Sequence, residues 1–195
     1  GLGLTLRNIL FPVFCKNCGL RLLTEENGYF CPECWDRIDR IERPFCTICG
    51  RPHAAAVGYG PAQNVPCAEC REREGEPRSC HRIYGAAVYA PPLDAAVKLL
   101  KFSGRRRLAG PMAQLMAAFA ESEMDCDACE AIVPVPLHKV RLRDRGFNQS
   151  ALLAGLLAPV FGKAAVLPAL RRVRPTRTQS LLTSPEERRR NVAGA

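Results

Sequence analysis

Between residues 15 and 70, eight of the eleven cysteines fall into four pairs, and the members of each pair are separated by two residues. This spacing lets both thiolates of a tight turn point at one tetrahedral ion, and two such turns complete a four-sulfur shell. The pairs are Cys15 with Cys18, Cys31 with Cys34, Cys46 with Cys49, and Cys67 with Cys70. We therefore predict a cysteine-only metal module at the start of the chain.

The odd cysteine count and the expected cytoplasmic location argue against a disulfide framework. Tetrahedral sulfur suits iron as well as zinc, but we predict two structural zinc ions. Four thiolates leave no open position for water, so a catalytic role is not expected. The simplest arrangement joins the pairs consecutively around two ions, and a cross-braced order is the alternative. Gly19 and Gly50 follow the second cysteine of their turns, where a positive φ is often needed.

The charge distribution divides the chain near Cys80 to Arg82. Residues 1–80 hold ten basic and ten acidic side chains, so the whole net charge of +9 belongs to residues 81–195. Each zinc with four thiolates adds a net charge of about −2, which makes the first part acidic. We predict a double zinc-ribbon module over residues 1–80 and a second domain over residues 81–195.

The second domain is predicted to alternate strands and helices. Tyr84–Tyr89 and Ile132–Val135 have strand character, while helical spacing begins at Leu93, after Pro111 and over Asn148–Leu157. This alternation predicts an α/β domain in which helices cover a parallel sheet. Ligands of such domains bind in loops beyond the carboxyl ends of the strands.

The loop after the second strand carries another specific pattern, VPVPLH from Val133 followed by RLRDRGFNQ up to Gln149. Together with LLKFSGRRRLA at Leu99–Ala109 and the segment Arg177–Ala195, it resembles the ComF family of competence-associated proteins. The resemblance covers nearly the whole chain. It implies a zinc-ribbon module joined to a phosphoribosyltransferase-type domain in a protein associated with DNA uptake.

The chain departs from the family pattern at its end. Phosphoribosyltransferases of this type continue into a strand with two acidic residues and a Thr- and Gly-rich loop that hold phosphoribosyl pyrophosphate (PRPP), and this pattern is absent up to Ala195. We therefore expect a C-terminally truncated domain without a complete PRPP site. No catalytic residue is predicted, and magnesium is expected with PRPP only in a full-length protein.

Several residues are nevertheless candidates for binding a phosphorylated ligand. The loop Pro136–Gly146 can offer backbone amides and Arg145 to a pyrophosphate. The resemblance also implies a mobile flap that carries Arg177 and the triplet Arg188–Arg190. A lone histidine after a strand is more often a simple loop hydrogen-bonding residue, which is the alternative for His138. Arg141 and Arg143 are also consistent with a solvated face. The predicted substrate-binding residues are Pro136, His138, Arg145, Gly146, Asn148, Gln149, Arg177, Gln179 and Arg190.

Two other functions are compatible with the sequence. Basic clusters between Lys98 and Arg190 could follow the backbone of single-stranded DNA. Alternatively, the zinc module could dock a helicase or another competence protein, while the second domain has lost catalysis. A fifth cysteine pair, Cys126 with Cys129, has no second pair to complete a shell, and we attribute it to chance. Without an apolar run long enough to span a bilayer, the sequence favours the cytoplasm.

Overall fold

The computed structural model describes residues 12–22, 28–53, 64–78 and 80–195. The chain divides into two compact units, Gly1–Ala95 and Ala96–Ala195. The first unit therefore extends beyond position 80. Within it, the Ile83 amide donates to the Ile48 carbonyl at 2.8 Å and the Ile41 amide donates to the Ala86 carbonyl at 3.1 Å. The functional boundary after residue 80 stays a prediction.

The first unit repeats one small design. Strands β1 (Val13–Phe14) and β2 (Arg21–Leu22) pair antiparallel around the first cysteine turn, and a bridge between Phe45 and Pro52 encloses the third. The second and fourth turns lie at the starts of two five-residue helices, α1 (Pro32–Asp36) and α2 (Ala68–Glu72). Each half of the unit therefore joins a hairpin turn to a helix start.

The apolar core of the first unit is small. Among the described residues, its buried side chains apart from cysteines include Leu22, Phe30, Ile38 and Phe45. The Phe30 and Trp35 rings lie 5.7 Å apart at a tilt of 48°. So little buried apolar surface predicts that bound metal supplies much of the folding energy.

The strand predicted over Tyr84–Tyr89 does not form. Only an isolated bridge between Ala87 and Arg40 is present there. The segment instead passes close to the third cysteine turn, where a Cβ on Gly50 would lie 2.6 Å from the Ile83 carbonyl oxygen. Gly50 also has a φ of +69°, so glycine is required there both by the backbone and by its neighbour.

The second unit is built mainly of helices. Pro111 lies in the first turn of its longest helix, as predicted, and no helix in the described part of the chain is both long and apolar enough to cross a membrane. Short 3₁₀ turns at Arg106–Leu108, Ala158–Phe161 and Gln179–Leu181 connect the elements. The helices and strands that these turns connect are, in chain order, α3 (Leu93–Phe102), α4 (Ala109–Glu123), β3 (Ala131–Ile132), α5 (Lys139–Arg145), α6 (Gln149–Leu157), β4 (Ala165–Val166) and α7 (Pro185–Val192).

Strands β3 and β4 form a small parallel sheet. Ala131 is opposite Ala165 and Ile132 is opposite Val166, and the Leu167 amide donates to the Ile132 carbonyl at 3.0 Å. Two parallel strands need a crossover connection, which here contains α5 and α6. The unit thus has the strand, helix and strand order of an α/β domain, with the basic loop immediately after β3.

The core of the second unit lies where α4 packs against α6. Its buried cluster consists of Ala120, Leu157, Phe161 and Ala164. The leftover cysteine pair packs partly against this cluster, and the Cys126 thiol donates to the Ala120 carbonyl at 3.4 Å. Packing accounts for these two thiols, and they are outside the two metal-type thiol groups of the described residues.

Candidate metal centres and a basic cleft

The eight paired cysteines form two groups of four thiols. Within each group the sulfur atoms lie within 4.8 Å of one another. The first group contains Cys15, Cys18, Cys31 and Cys34, and the second contains Cys46, Cys49, Cys67 and Cys70. The pairs therefore combine consecutively, and the cross-braced order does not occur.

In each group, a backbone amide donates to the sulfur of the first cysteine. The Cys31 amide donates to Cys15 Sγ at 3.4 Å, and the Cys67 amide donates to Cys46 Sγ at 3.3 Å. Such N–H donors stabilise a thiolate. Burial by itself raises the pKa of Cys15 and of Cys46, but these donors outweigh it and lower both pKa values to about 6.

Other thiols in the same groups shift the opposite way. Burial, followed by contact with neighbouring thiols, raises the pKa of Cys70 to about 12. Four negative charges cannot gather within such a small space unless a cation balances them. The donor set of four closely spaced sulfurs with supporting amides therefore fits a tetrahedral zinc ion in each group.

The zinc would be enclosed in the first group, where Cys15, Cys31 and Cys34 are buried and only Cys18 is exposed. The second group has Cys46 buried and the other three thiols half-buried. Because all four positions are protein sulfurs, neither group has a vacancy for a reacting water. Both sites have the chemistry of structural metal centres.

A basic cleft of about 420 Å³ lies in the second unit. The cleft lies between the end of α3 and one side of α5, which are separated by some forty residues in the sequence. One carboxylate, Asp144, lies among three cations. The lining residues are Lys101, Phe102, Gly104, Arg141, Asp144 and Arg145.

The cations of this cleft repel one another. Burial and then the charge of Arg145 lower the pKa of Lys101, while burial and then the charge of Arg141 lower the pKa of Arg145. None of the three forms an ion pair within the described residues. Unbalanced positive charge in a partly desolvated cleft favours the binding of an anion.

The ends of α5 and α6 position the predicted binding residues. His138 is 7% exposed, and its Nδ1 accepts the Val140 amide at 3.4 Å, so it caps α5. Asn148 caps α6 by accepting the Ser150 amide at 2.9 Å, and it donates to the Val135 carbonyl at 3.0 Å. For these residues the structure assigns local hydrogen bonds that hold the loop in shape.

Arg145 is the predicted residue that lies directly in the cleft. Its guanidinium donates to Gln149 Oε1 and lies 5.6 Å from the centre of the Phe102 ring. Gly146 ends α5 in the left-handed conformation, and its carbonyl accepts Arg106 at 2.8 Å. Pro136 is half-buried in the preceding loop.

The predicted flap residues are outside the cleft lining and are organised around Asn191. The Asn191 side chain accepts the Arg177 amide at 3.0 Å and donates to Gln179 Oε1 at 3.2 Å. Arg190 is exposed on α7. The flap segment contacts α5 through Arg141, which donates to the Thr176 carbonyl at 3.1 Å and to Thr178 Oγ1 at 3.0 Å.

Lys101 and Arg141 line the cleft but are not among the predicted substrate-binding residues. A solvated face was one interpretation of Arg141, but its side chain is half-buried and joins the cleft to the flap segment. The signal for Lys101 was the KF-G part of the family resemblance, which places Lys101, Phe102 and Gly104 in one motif. The structure brings that motif to Arg145.

Two four-thiol ribbons followed by a parallel α/β unit define a double zinc-ribbon protein with an α/β domain. The family model described as "Double zinc ribbon domain" matches residues 6–83. The DNA utilization protein YhgH of Salmonella typhimurium is 33% identical over 187 residues, which cover 94% of this chain and 77% of that protein. Competence protein F of Haemophilus influenzae is 29% identical over 188 residues, covering 95% of this chain and 76% of that protein.

A third relative, competence protein ComFC of Bacillus subtilis, is 26% identical over 136 residues, which cover 65% of this chain and 50% of that protein. The chain belongs to the ComF family of competence and DNA utilization proteins. No solved structure matches this chain.

Proposed function

We propose that the second unit is a phosphoribosyltransferase-like domain that binds a pyrophosphate-bearing or otherwise phosphorylated ligand in the basic cleft. The first unit serves it as a structural module with two zinc ions, in a protein that acts in DNA uptake or utilization. The observation that carries the proposal is the group of Lys101, Arg141 and Arg145, whose charges repel one another and lack an ion-pair partner among the described residues.

The chemistry of phosphoribosyl transfer needs such a group. Pyrophosphate leaves the ribose as charge develops on both fragments, and the protein mainly positions them and stabilises the departing anion. An oxyanion among these cations would replace repulsion by charge-assisted hydrogen bonds. Arg145 is oriented for this by Gln149, while Gly146 and Asn148 hold the ends of the two helices beside it.

The remaining parts of the proposal follow the family resemblance. Arg177, Gln179 and Arg190 belong to a flap that approaches the ligand, and Pro136 and His138 shape the loop beneath it. Magnesium would accompany PRPP only in a protein that carries the acidic strand and the Thr- and Gly-rich loop. Cysteine-only zinc sites need reduced thiols, so we propose the cytoplasm as the compartment.

Isothermal titration of the zinc-loaded chain with pyrophosphate tests the cleft. Arg145→Gln should weaken binding by roughly tenfold or more, because it removes a charged donor worth about 1.5–3 kcal/mol. Arg143→Gln provides the matched control, since Arg143 is an exposed arginine of the same helix outside the cleft lining. Equal affinities of the two variants, or no pyrophosphate binding by the unaltered chain, would refute the proposal.

A second candidate function is single-strand DNA binding, or an adaptor role towards a competence helicase. The exposed arginines of α7, Arg188–Arg190, and the names of the relatives support it. Oligothymidylate affinity should then fall steeply with salt and fall further when Arg189 and Arg190 are both replaced by Gln. A response to salt that does not change with these substitutions would remove α7 from the interface.

A further inference from the structure

The cleft has an aromatic wall as well as a cationic one. Phe102 ends α3 and is 65% exposed, although it is among the large apolar side chains. Exposed apolar side chains are common on this protein, but the Phe102 ring also lines the cleft beside three cations, and the Arg145 guanidinium lies 5.6 Å from its centre. The ring is therefore available to a ligand.

A second arginine–phenylalanine pair in the same unit provides an internal comparison. The Arg106 guanidinium lies 4.6 Å from the centre of the Phe147 ring, and Phe147 is 9% exposed. That pair is part of the packed structure, since both the ring and its cation are engaged by protein. Phe102 has its arginine at 5.6 Å and most of its surface still in solvent.

The backbone after Phe102 holds the ring at the cleft. The Ser103 and Arg105 amides both donate to the Leu99 carbonyl, at 3.1 and 3.2 Å, and so end α3 in a tight turn. The turn passes through Gly104, whose φ of +64° favours glycine. A Cβ at Gly104 would meet no atom within 4 Å, so the requirement for glycine lies in the backbone and not in crowding.

The Arg145 guanidinium links the two walls. It is oriented by Gln149 Oε1 and faces the Phe102 ring, and its remaining N–H groups can serve an oxyanion. A ligand that satisfies both walls carries a phosphate and a planar ring. PRPP and pyrophosphate have only the first of these.

We propose that the cleft takes a nucleotide unit, with its phosphate on Lys101, Arg141 and Arg145 and its base stacked on the Phe102 ring. The inference rests on the proposed anion site and adds the ring to it. Stacking of a base on an aromatic side chain contributes about 1–3 kcal/mol and tolerates any base. The nucleotide unit could come from a free mononucleotide or from a single DNA strand, and the chemistry of recognition is the same.

The test compares AMP with ribose 5-phosphate, which has the same sugar and phosphate without the base. The unaltered zinc-loaded chain should bind AMP roughly tenfold more tightly, in keeping with a stacking energy of about 1.4 kcal/mol. Phe102→Leu should abolish this preference while pyrophosphate affinity stays unchanged, and Phe102→Trp should keep it. Tyr89→Leu, at an aromatic residue that is 63% exposed and outside both the cleft lining and the flap segment, should leave all affinities unchanged.

An oligonucleotide of deoxyadenosine distinguishes a single DNA strand from a free mononucleotide as the ligand. A Phe102-dependent gain for the oligonucleotide over AMP identifies a strand as the ligand, whereas equal or weaker binding identifies the mononucleotide. Equal affinities for AMP and ribose 5-phosphate, with pyrophosphate still dependent on Arg145, would overturn the inference and leave the proposed function intact. Failure of pyrophosphate itself to bind would instead refute the anion site.

Discussion

The two units of this chain are stabilised by different interactions. The first holds eight of the eleven cysteines in two four-thiol groups and buries few other apolar side chains. The second buries a continuous apolar cluster between α4 and α6. Metal ligation therefore dominates one unit and side-chain packing the other.

The units differ equally in their charged sites. Close negative thiolates in the first unit need a cation, whereas close positive side chains in the second need an anion. Neither arrangement is satisfied by side chains of its own described residues. The thiol groups of the first unit are structural, because four sulfurs close each metal shell. The cation group of the second unit is open to a ligand.

The largest predicted effect breaks one metal centre. Cys34→Ser removes a buried ligand of the first group, so metal analysis should find about one zinc ion per chain instead of about two. Since structural zinc contributes apparent binding energies of about 10–16 kcal/mol, the first ribbon should also lose its amide protection. Cys80→Ser, at an exposed cysteine outside both groups, is the matched control. An unchanged zinc count in Cys34→Ser would contradict the assignment.

The next effect tests the packed unit. Phe161→Ala truncates a buried ring of the α4–α6 core and should lower the free energy of unfolding of the second unit by about 3–5 kcal/mol. Urea denaturation monitored by helical circular dichroism measures this loss. Leu181→Ala, which changes an exposed side chain, should stay within about 0.5 kcal/mol of the unaltered protein. A lower zinc count in Phe161→Ala would show that the two units are not stabilised separately.

The sequence predicts those features whose cause is local. Cysteine spacing determines the four turns, so two four-thiol groups were predicted. Their consecutive order was the simpler of the two orders that the spacing left open. Helical periodicity likewise predicted α6. At the start of α7, Ser184 and Glu187 form both bonds of a capping box, which is another local interaction. The positive φ values of Gly19 and Gly50 agree with the turn chemistry.

Features that depend on distant segments were not predictable in the same way. The strand expected over Tyr84–Tyr89 was wrong because these residues pair at a single position, with Arg40, and pass beside the third cysteine turn. Lys101 and Arg145 form one cleft only after α3 and α5 come together. A single sequence does not specify that approach.

A smaller effect concerns pH. Burial and Arg145 lower the pKa of Lys101, so the free protein loses this charge at a lower pH than an ordinary lysine would. A bound anion favours the charged form, so sulfate affinity should fall as pH rises through that lowered pKa. Titration with sulfate, whose own charge is constant in this range, measures the effect. Lys101→Arg should flatten the profile, and a persistent decline in that variant would assign it to another group.

The smallest effect is expected at the start of α7. The Ser184 hydroxyl accepts the Glu187 amide at 3.0 Å, so Ser184→Ala should cost about 1 kcal/mol of local stability. Hydrogen exchange of the α7 amides measures it. Ser184→Asp can still accept the amide and should retain the protection of α7. Equal exchange rates in the two variants would show that the cap does not stabilise α7.

Chelation followed by hydrogen exchange on the intact chain tests the central contrast most directly. Removal of zinc should abolish protection in the cysteine turns and in α1 and α2, because metal binding there is folding energy. Protection of α4 and α6 should persist, since their core contains neither thiol group. Retained protection in the cysteine turns after complete metal removal would contradict the account.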